Sequence, residues 1–99
     1  MLTKIIAHRG SKGTRPENTL PAFIAAIADG ADGIETDVHL SRDGQLIIMH
    51  DELVDRTTNG TGRIVDHTLA ELKQLDAGVK YAPAYAGTRI PTLDEVVQL

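Results

Sequence analysis

The sequence contains no cysteine, no tryptophan, one phenylalanine and two tyrosines among its 99 residues. The lack of cysteine excludes both disulfides and thiolate metal sites. No apolar run approaches the roughly 20 residues that a membrane-spanning helix needs, so we expect no stable membrane anchor. Ten basic residues stand against 14 acidic ones and do not cluster. Because nucleic-acid surfaces require clustered positive charge, we expect no nucleic-acid partner.

The residues that are present are typical of a soluble globular domain. Hydrophobic residues make up 41% of the chain, charged residues 24%, and the formal net charge is −4. These values fit one small folded domain. The first residues, 1–4, lead directly into an apolar strand without the core of a signal peptide. We therefore expect a cytoplasmic location.

A strand, a helix and a second strand are predicted in the first 40 residues. The β-branched, apolar run 3–7 predicts a buried strand that stops at His8. The run 33–40 predicts the second strand, and a helix of about ten residues separates the two. This order is that of a βαβ unit, in which both faces of a parallel sheet are normally covered.

The predicted helix has recognisable ends. Asn18 or Thr19 can accept a backbone N–H at its start, with capping the expected role of Asn18, and Gly30 supplies a left-handed stop. Four apolar positions with helical spacing are expected to face the core. They are Leu20, Phe23, Ile24 and Ile27.

Two carboxylates occur on the second predicted strand. Because side chains alternate along a strand, Glu35 and Asp37 are expected on one face with Cα atoms roughly 6.6 Å apart, close enough to share one cation. Hard oxygen ligands suit Mg²⁺ or Ca²⁺. The alternative interpretation places both on the wet face of a half-exposed antiparallel strand. The βαβ order favours the metal site, since covered carboxylates need a cation or hydrogen-bond donors.

Turn residues at 41–44 and an apolar run at 45–49, which ends at His50, predict a hairpin. From 51 to 87 the sequence is mostly loop-like, with one helix from Leu69 to about Leu75. Thr68 and Glu71 are expected to form its capping box. Thr92 and Glu95 repeat this capping pattern and predict a further helix.

Six short motifs resemble, in order, the opening of the glycerophosphodiester phosphodiesterase family. They are Ala7-His8-Arg9-Gly10, Arg15-Pro16-Glu17-Asn18-Thr19, Glu35-Thr36-Asp37-Val38, Asp43-Gly44, His50-Asp51 and Ile90-Pro91-Thr92-Leu93. The resemblance implies that residues 1–99 form the N-terminal part of an α/β fold, a (β/α)8 TIM barrel of the phospholipase-C-like phosphodiesterase type. It also implies that 51–87 is the family insertion after the second strand. Because the C-terminal part of the barrel is absent from these residues, we expect that the chain belongs to a longer protein, is a truncated gene product, or gains cover by self-association.

The resemblance also implies a role for each matching position. His8 and His50 would transfer protons on opposite sides of a phosphodiester, and Arg9 would contact the phosphate. Glu35 and Asp37 would bind the divalent cation, Mg²⁺ or Ca²⁺. Supporting roles are expected for Glu17, Asn18 and Asp51.

The implied reaction is metal-dependent hydrolysis of a small-molecule glycerophosphodiester to an alcohol and sn-glycerol 3-phosphate. Such a diester is anionic and a poor electrophile until a cation and a guanidinium neutralise its oxygens. Histidine suits both proton transfers because its ordinary pKa is about 6.5. Two alternatives stay open: a phospholipase-D-like relative on the same scaffold, and an inactive fragment that only binds a metal or phosphate compound.

Overall fold

The computed structural model describes residues 6–10 and 13–99. Most of the predicted first strand, 3–7, therefore lies outside the described residues. In the described ranges, no helix is long and apolar enough to cross a membrane. The elements are strands β1 (Ile6–His8), β2 (Gly33–Glu35), β3 (Val38–Leu40) and β4 (Leu46–Ile48), helices α1 (Leu20–Ala28), α2 (Leu69–Lys73) and α3 (Leu93–Val97), and 3-10 helices at Ile64–Asp66 and Pro83–Tyr85.

Strands β1 and β2 form a parallel pair in which His8 lies opposite Glu35. Parallel neighbours cannot be joined by a tight turn, and α1 provides the crossover between them. The predicted order of strand, helix and strand is therefore confirmed. It brings two of the candidate site residues to the same end of the strand pair.

Helix α1 begins and ends close to the predicted positions. Thr19 is its N-cap, and the Thr19 Oγ1 accepts a hydrogen bond from the Ala22 N–H at 3.4 Å. Asp29 is the C-cap, and Gly30 follows with a φ of +88°. This left-handed conformation costs glycine little, so the predicted stop is confirmed.

The buried face of α1 differs from the prediction. Ile24 and Ile27 are 52% and 48% exposed. Gly10, in the loop after β1, lies against the helix at Ala22, where a Cβ on Gly10 would be only 2.8 Å from the Ala22 carbonyl carbon. The loop packs against the small side of the helix and leaves the two isoleucines outside. The buried positions are Ala22, Phe23 and Ala26.

The predicted strand 33–40 is two strands with different partners. β2 ends at Glu35, and β3 pairs antiparallel with β4 instead of continuing beside β1. Thr36 and Asp37 lie between the strands and outside strand geometry. The prediction of one continuous strand is therefore wrong. Because Thr36 and Asp37 are not part of a strand, the alternation of side chains along a strand does not place Glu35 and Asp37 on one face.

The predicted hairpin is confirmed. In the β3–β4 pair, Val38 lies opposite Ile48 and Leu40 opposite Leu46. The Gly44 N–H donates to the Ser41 carbonyl at 3.0 Å, which closes the turn. The hairpin thus delivers the chain to His50 just after β4 ends.

The main cluster of buried apolar residues lies between β4 and the segment 51–87. Helix α2 contributes Leu72, which is fully buried, and begins with the predicted capping box of Thr68 and Glu71. It ends at Lys73, before the predicted end. The segment also contains both 3-10 helices, and most of its other residues lie in turns and irregular loop, as predicted. The cluster consists of Ile47, Met49, Val54, Ile64, Leu72, Ala77 and Ile90.

After this segment the chain returns to β4. The Ile48 N–H donates to the Pro91 carbonyl at 3.0 Å, and Thr92 forms an isolated antiparallel bridge with Ile47. Thr92 and Glu95 then form the second predicted capping box, at the start of α3. The chain therefore leaves β4 after Ile48 and returns beside it at Pro91 and Thr92.

Candidate active site

His8 and Glu35 meet at the end of the parallel strand pair. The His8 Nε2 lies 3.2 Å from the Glu35 Oε2, and each side chain is about half exposed. The Arg9 N–H donates to the Glu35 carbonyl at 2.7 Å, which extends the pairing by one residue. The structure thus places a predicted proton-transfer group beside a predicted metal ligand.

Arg9 leaves β1 in a left-handed conformation, with a φ of +57°. This conformation is uncommon for residues other than glycine. The Arg9 side chain is 16% exposed, and its Nη1 lies 3.4 Å from the Glu17 Oε2. Its buried Nε has no hydrogen-bond partner among the residues that the structure describes. A buried guanidinium N–H without a partner suits an anionic ligand, as predicted for Arg9.

His50 and Asp51 form a second pair of candidate residues beyond the end of β4. The His50 Nδ1 lies 2.7 Å from the Asp51 Oδ1. Hydrogen bonds from the Arg56 guanidinium, and then from His50, hold the pKa of the Asp51 carboxyl well below its usual range. An ionised carboxylate can only accept, so His50 donates from Nδ1. A neutral His50 then has its proton acceptor at Nε2.

Arg56 joins Asp51 to Glu17 and was missed by the sequence interpretation. Its Nε and Nη2 donate to Asp51 at 2.8 and 3.1 Å, and its Nη1 and Nη2 donate to Glu17 at 2.8 and 2.9 Å. The bond from Arg56 is also the main reason that the pKa of Glu17 is lowered. Positions 17, 51 and 56 share no periodicity, so only the folded chain reveals the network.

Asp37 is held beside β4 by its backbone, because the Met49 N–H donates to the Asp37 carbonyl at 3.1 Å. Its side-chain Oδ2 is buried and has no hydrogen-bond partner within the described part of the chain. A buried carboxylate oxygen without a donor is costly unless a cation compensates it. This is the environment expected of a metal ligand.

Asn18 has a different role from the expected one. Thr19, not Asn18, is the N-cap of α1. Asn18 is 4% exposed, has a φ of +54°, and accepts a hydrogen bond through Oδ1 from the Thr36 hydroxyl at 2.9 Å. Its N–H donates to the Arg9 carbonyl at 2.9 Å. Asn18 therefore joins the loop after β1 to the break between β2 and β3.

Glu35 and Asp37 fit a hard divalent cation in part. Carboxylate oxygens are the ligands that Mg²⁺ and Ca²⁺ prefer, and Mg²⁺ sites often use one or two carboxylates plus water and substrate phosphate. In residues 6–10 and 13–99, no three His, Cys, Asp or Glu side chains are grouped closely enough to hold a metal ion. Glu35 and Asp37 can therefore supply two ligands, and the described residues add no third one beside them.

A cavity of about 190 Å³ lies beside the Arg56 network. Tyr81, on its wall, donates from its hydroxyl to the Gly13 carbonyl at 3.1 Å and makes an edge-on contact with Tyr85. The bond to Gly13 joins the segment 51–87 to the loop after β1. The cavity is lined by Pro16, Glu17, Arg56, Thr57, Ala77, Lys80 and Tyr81.

The chain is similar in sequence to curated phosphodiesterases. A glycerophosphodiester phosphodiesterase of Caldanaerobacter subterraneus subsp. tengcongensis is 58% identical over 99 residues, which are all of this chain and 41% of the relative. One of Bacillus subtilis is 48% identical over 100 residues, which cover 93% of this chain and 34% of the relative. The chain thus spans about two fifths or less of these relatives.

Solved structures of phosphodiesterases have a similar fold. A glycerophosphodiester phosphodiesterase of Agrobacterium tumefaciens superposes with a TM-score of 0.96 at 44% identity, over 98% of this chain and 42% of that one. An Oleispira antarctica phosphodiesterase in complex with the product sn-glycerol-3-phosphate superposes with a TM-score of 0.94 at 48% identity. The match covers 98% of this chain and 39% of that one. The mixed α/β fold therefore corresponds to part of a TIM-barrel phosphodiesterase. Because the model of the glycerophosphoryl diester phosphodiesterase family also matches residues 8–99, the chain belongs to that family.

Proposed function

We propose that the protein containing this chain hydrolyses glycerophosphodiesters to an alcohol and sn-glycerol 3-phosphate. The observation that carries the proposal is the presence of two histidine–carboxylate pairs, His8 with Glu35 and His50 with Asp51, each just at or beyond the end of a strand. Family membership supports the reaction, and the product held by the Oleispira antarctica phosphodiesterase supports the released compound.

Arg9 is the proposed phosphate ligand. Its buried Nε can donate to one phosphate oxygen, and such charge-assisted bonds orient the phosphorus for attack. Glu17 lies 3.4 Å from the Arg9 Nη1 and limits the positions that the guanidinium can take. Arg9 therefore both neutralises and orients the substrate.

Glu35 and Asp37 are the proposed ligands of a divalent cation, Mg²⁺ or Ca²⁺. When bound, the cation neutralises charge on the phosphate oxygens. Because Glu35 also contacts His8, the same carboxylate restrains the histidine beside the cation site. The described pair supplies two ligands, so the proposal expects further ligands from water, substrate or other parts of the protein.

His8 and His50 are the proposed proton-transfer groups. One accepts the proton of the attacking water or substrate hydroxyl, and the other donates a proton to the departing alkoxide. The Asp51 carboxylate orients His50 by accepting from Nδ1, which reserves Nε2 for proton transfer. His8 is the last residue of β1, and His50 follows the end of β4. The two histidines therefore approach the substrate from different parts of the fold.

The proposal extends to the fold of the whole protein, a (β/α)8 barrel in which 51–87 is the insertion after the second barrel strand. Exposed apolar side chains on β1 and on the β3–β4 hairpin support cover by further barrel elements, either from additional chain or from a second copy. They are Ile6, Val38, Leu40 and Leu46. The cytoplasmic location expected from the sequence stays a prediction.

Two other functions make different predictions. A phospholipase-D-like relative would prefer a choline phospholipid to a water-soluble glycerophosphodiester. A binding-only fragment would hold a cation or phosphate compound without turnover, and the lack of a three-ligand cluster in 6–10 and 13–99 favours this for the chain by itself. Comparing the rates on a choline phospholipid and on a glycerophosphodiester distinguishes the phospholipase-D-like function from the proposed one. Measuring whether any substrate is turned over distinguishes the binding-only fragment from an enzyme.

The test is release of glycerol 3-phosphate from glycerophosphocholine by the full-length protein, with Mg²⁺ or Ca²⁺ and then with chelator. We expect His8→Ala and His50→Ala to abolish release. His67→Gln is the matched control, because His67 lies in the segment 51–87 and its Nδ1 lies 2.7 Å from the Arg63 carbonyl oxygen. Unchanged turnover in both alanine variants would overturn the proposal.

A further inference from the structure

We propose that Arg56 is a positioning residue for this reaction, which holds His50 through Asp51 and Arg9 through Glu17. The inference rests on the proposed function. Arg56 itself need not touch the substrate, because its contacts are with the two carboxylates. Its effect is to fix the groups that do.

The Arg56 guanidinium is fully engaged on two edges. Its Nε–Nη2 edge binds both oxygens of Asp51, and its Nη1–Nη2 edge binds both oxygens of Glu17, with all four distances between 2.8 and 3.1 Å. Two bidentate pairs on one planar group fix the orientation of each carboxylate as well as its position. A single lysine ammonium cannot reproduce this geometry.

The backbone that carries Arg56 is firmly held. Val54 and Thr58, two residues to either side of Arg56, are both fully buried. The Thr58 hydroxyl and N–H donate to the Val54 carbonyl at 2.7 and 3.1 Å. Although the Arg56 side chain is half exposed, its Cα is therefore tied to the main core. A rigid base is what a positioning residue needs.

The Asp51 side of the network controls the protonated nitrogen of His50. Asp51 Oδ1 accepts from both Arg56 Nη2 and His50 Nδ1. Without Arg56 the Asp51 carboxylate could rotate, and the alternative tautomer of His50 would become accessible. In that tautomer the nitrogen needed as a proton acceptor carries a hydrogen.

The Glu17 side of the network controls Arg9. Glu17 is 15% exposed and lies between two guanidinium groups, with Arg56 at 2.8 Å and Arg9 at 3.4 Å. Arg56 therefore lies closer to Glu17 than Arg9 does, and it binds both oxygens of the Glu17 carboxylate. If Arg56 were removed, Glu17 would be left to Arg9 alone and would compete with the phosphate for it.

The kinetic test compares Arg56→Gln and Arg56→Lys with Arg63→Gln in the full-length protein. Arg63 is the matched control because it lies in the same segment and its side chain forms an ion pair with exposed Asp66. We expect kcat/KM to fall about 10- to 100-fold in both Arg56 variants, the magnitude typical of lost supporting contacts, and to be unchanged in Arg63→Gln. Arg56→Gln should lower kcat/KM by a smaller factor in an Asp51→Asn background than in the wild type, because Asp51→Asn already removes the His50 branch and leaves only the Glu17–Arg9 branch to lose.

The spectroscopic test is independent of turnover. At about pH 8, long-range ¹H–¹⁵N spectra should show His50 protonated at Nδ1 in the wild type and a mixture of tautomers in Arg56→Gln. If Arg56→Gln does not fold, Arg56→Lys is scored in the same way. Wild-type kinetics and wild-type His50 signals in a folded Arg56 variant would overturn the inference. An inactive wild type would overturn the proposed function, and the His50 signals would still decide the role of Arg56.

Discussion

The Nδ1 of His50 lies 2.7 Å from the Oδ1 of Asp51, the next residue in the chain. Neighbouring side chains of a strand point to opposite faces, so this contact requires that the strand has already ended. β4 does end at Ile48, two residues earlier. The pair is therefore local in sequence, while its support by Arg56 comes from five residues further on.

Asp51→Asn should leave the protein folded and lower kcat. The asparagine amide can donate to His50 Nδ1 and so favour the wrong tautomer, and a comparable change in a serine protease triad costs about 10⁴-fold in kcat. We expect a loss of about 10²- to 10⁴-fold with a smaller change in KM, measured by steady-state kinetics on glycerophosphocholine. Asp66→Asn, at an exposed pair, should retain wild-type kcat. A wild-type kcat in Asp51→Asn would exclude this role.

Asp37→Asn should weaken cation binding. The substitution keeps the size of the side chain but removes the charge from the buried Oδ2. We expect the dissociation constant for Mg²⁺ or Ca²⁺, measured by isothermal titration calorimetry, to increase at least about tenfold. Asp66→Asn is again the control, since it removes one exposed carboxylate from the same protein. Equal affinities for both variants would show that Asp37 is not a ligand.

The Arg56 network should make stability depend on pH. The folded-state pKa values of Glu17 and Asp51 are lowered, chiefly by Arg56. Their stabilising effect is therefore complete above the ordinary carboxyl range near pH 4 and is lost as pH falls through the lower folded-state values. Between about pH 6 and pH 2, the Tm of the wild type should fall more steeply than that of Arg56→Gln. Parallel Tm curves for the two proteins would contradict this coupling.

Gly10→Ala should destabilise the chain more than Gly44→Ala. Both glycines have a positive φ, +75° and +78°, so alanine carries a similar backbone cost of about 1 kcal/mol at each. Only at Gly10 would the added Cβ meet Ala22, at 2.8 Å from its carbonyl carbon, whereas nothing lies within 4 Å at Gly44. Urea unfolding of both variants measures the difference. Equal free energies of unfolding would show that the loop can move away from α1.

Features that depend on neighbours in sequence were predicted well. The capping boxes at Thr68 and Thr92 are confirmed because each cap side chain binds a backbone N–H only three residues away. The hairpin is confirmed for the same reason, since its turn residues contact each other. The family motifs also singled out His8, Glu35, His50 and Asp51, but the contact of His8 with Glu35 was not predicted, and the roles of all four residues in the reaction stay predictions.

Features that depend on distant partners were predicted poorly. The alternation from Gly33 to Leu40 continues through Thr36 and Asp37, so the sequence does not show where β2 gives way to β3. Helical spacing finds the apolar residues of α1 but does not show that Gly10 packs on Ala22. Arg56 was missed because Glu17 lies 39 positions away from it.

The chain leaves β4 after Ile48 and returns beside it at Pro91, so the excursion between these points begins and ends at one strand. Because both of its ends lie on one strand, a replacement of different length would leave the strand in place, and longer loops add little closure entropy. The replacement would need apolar side chains to cover Ile47. His50 stays next to the strand in such an exchange, whereas Asp51 and Arg56 leave with the replaced residues. Substitutions in these residues can therefore change the contacts that orient His50 without changing the position of its backbone.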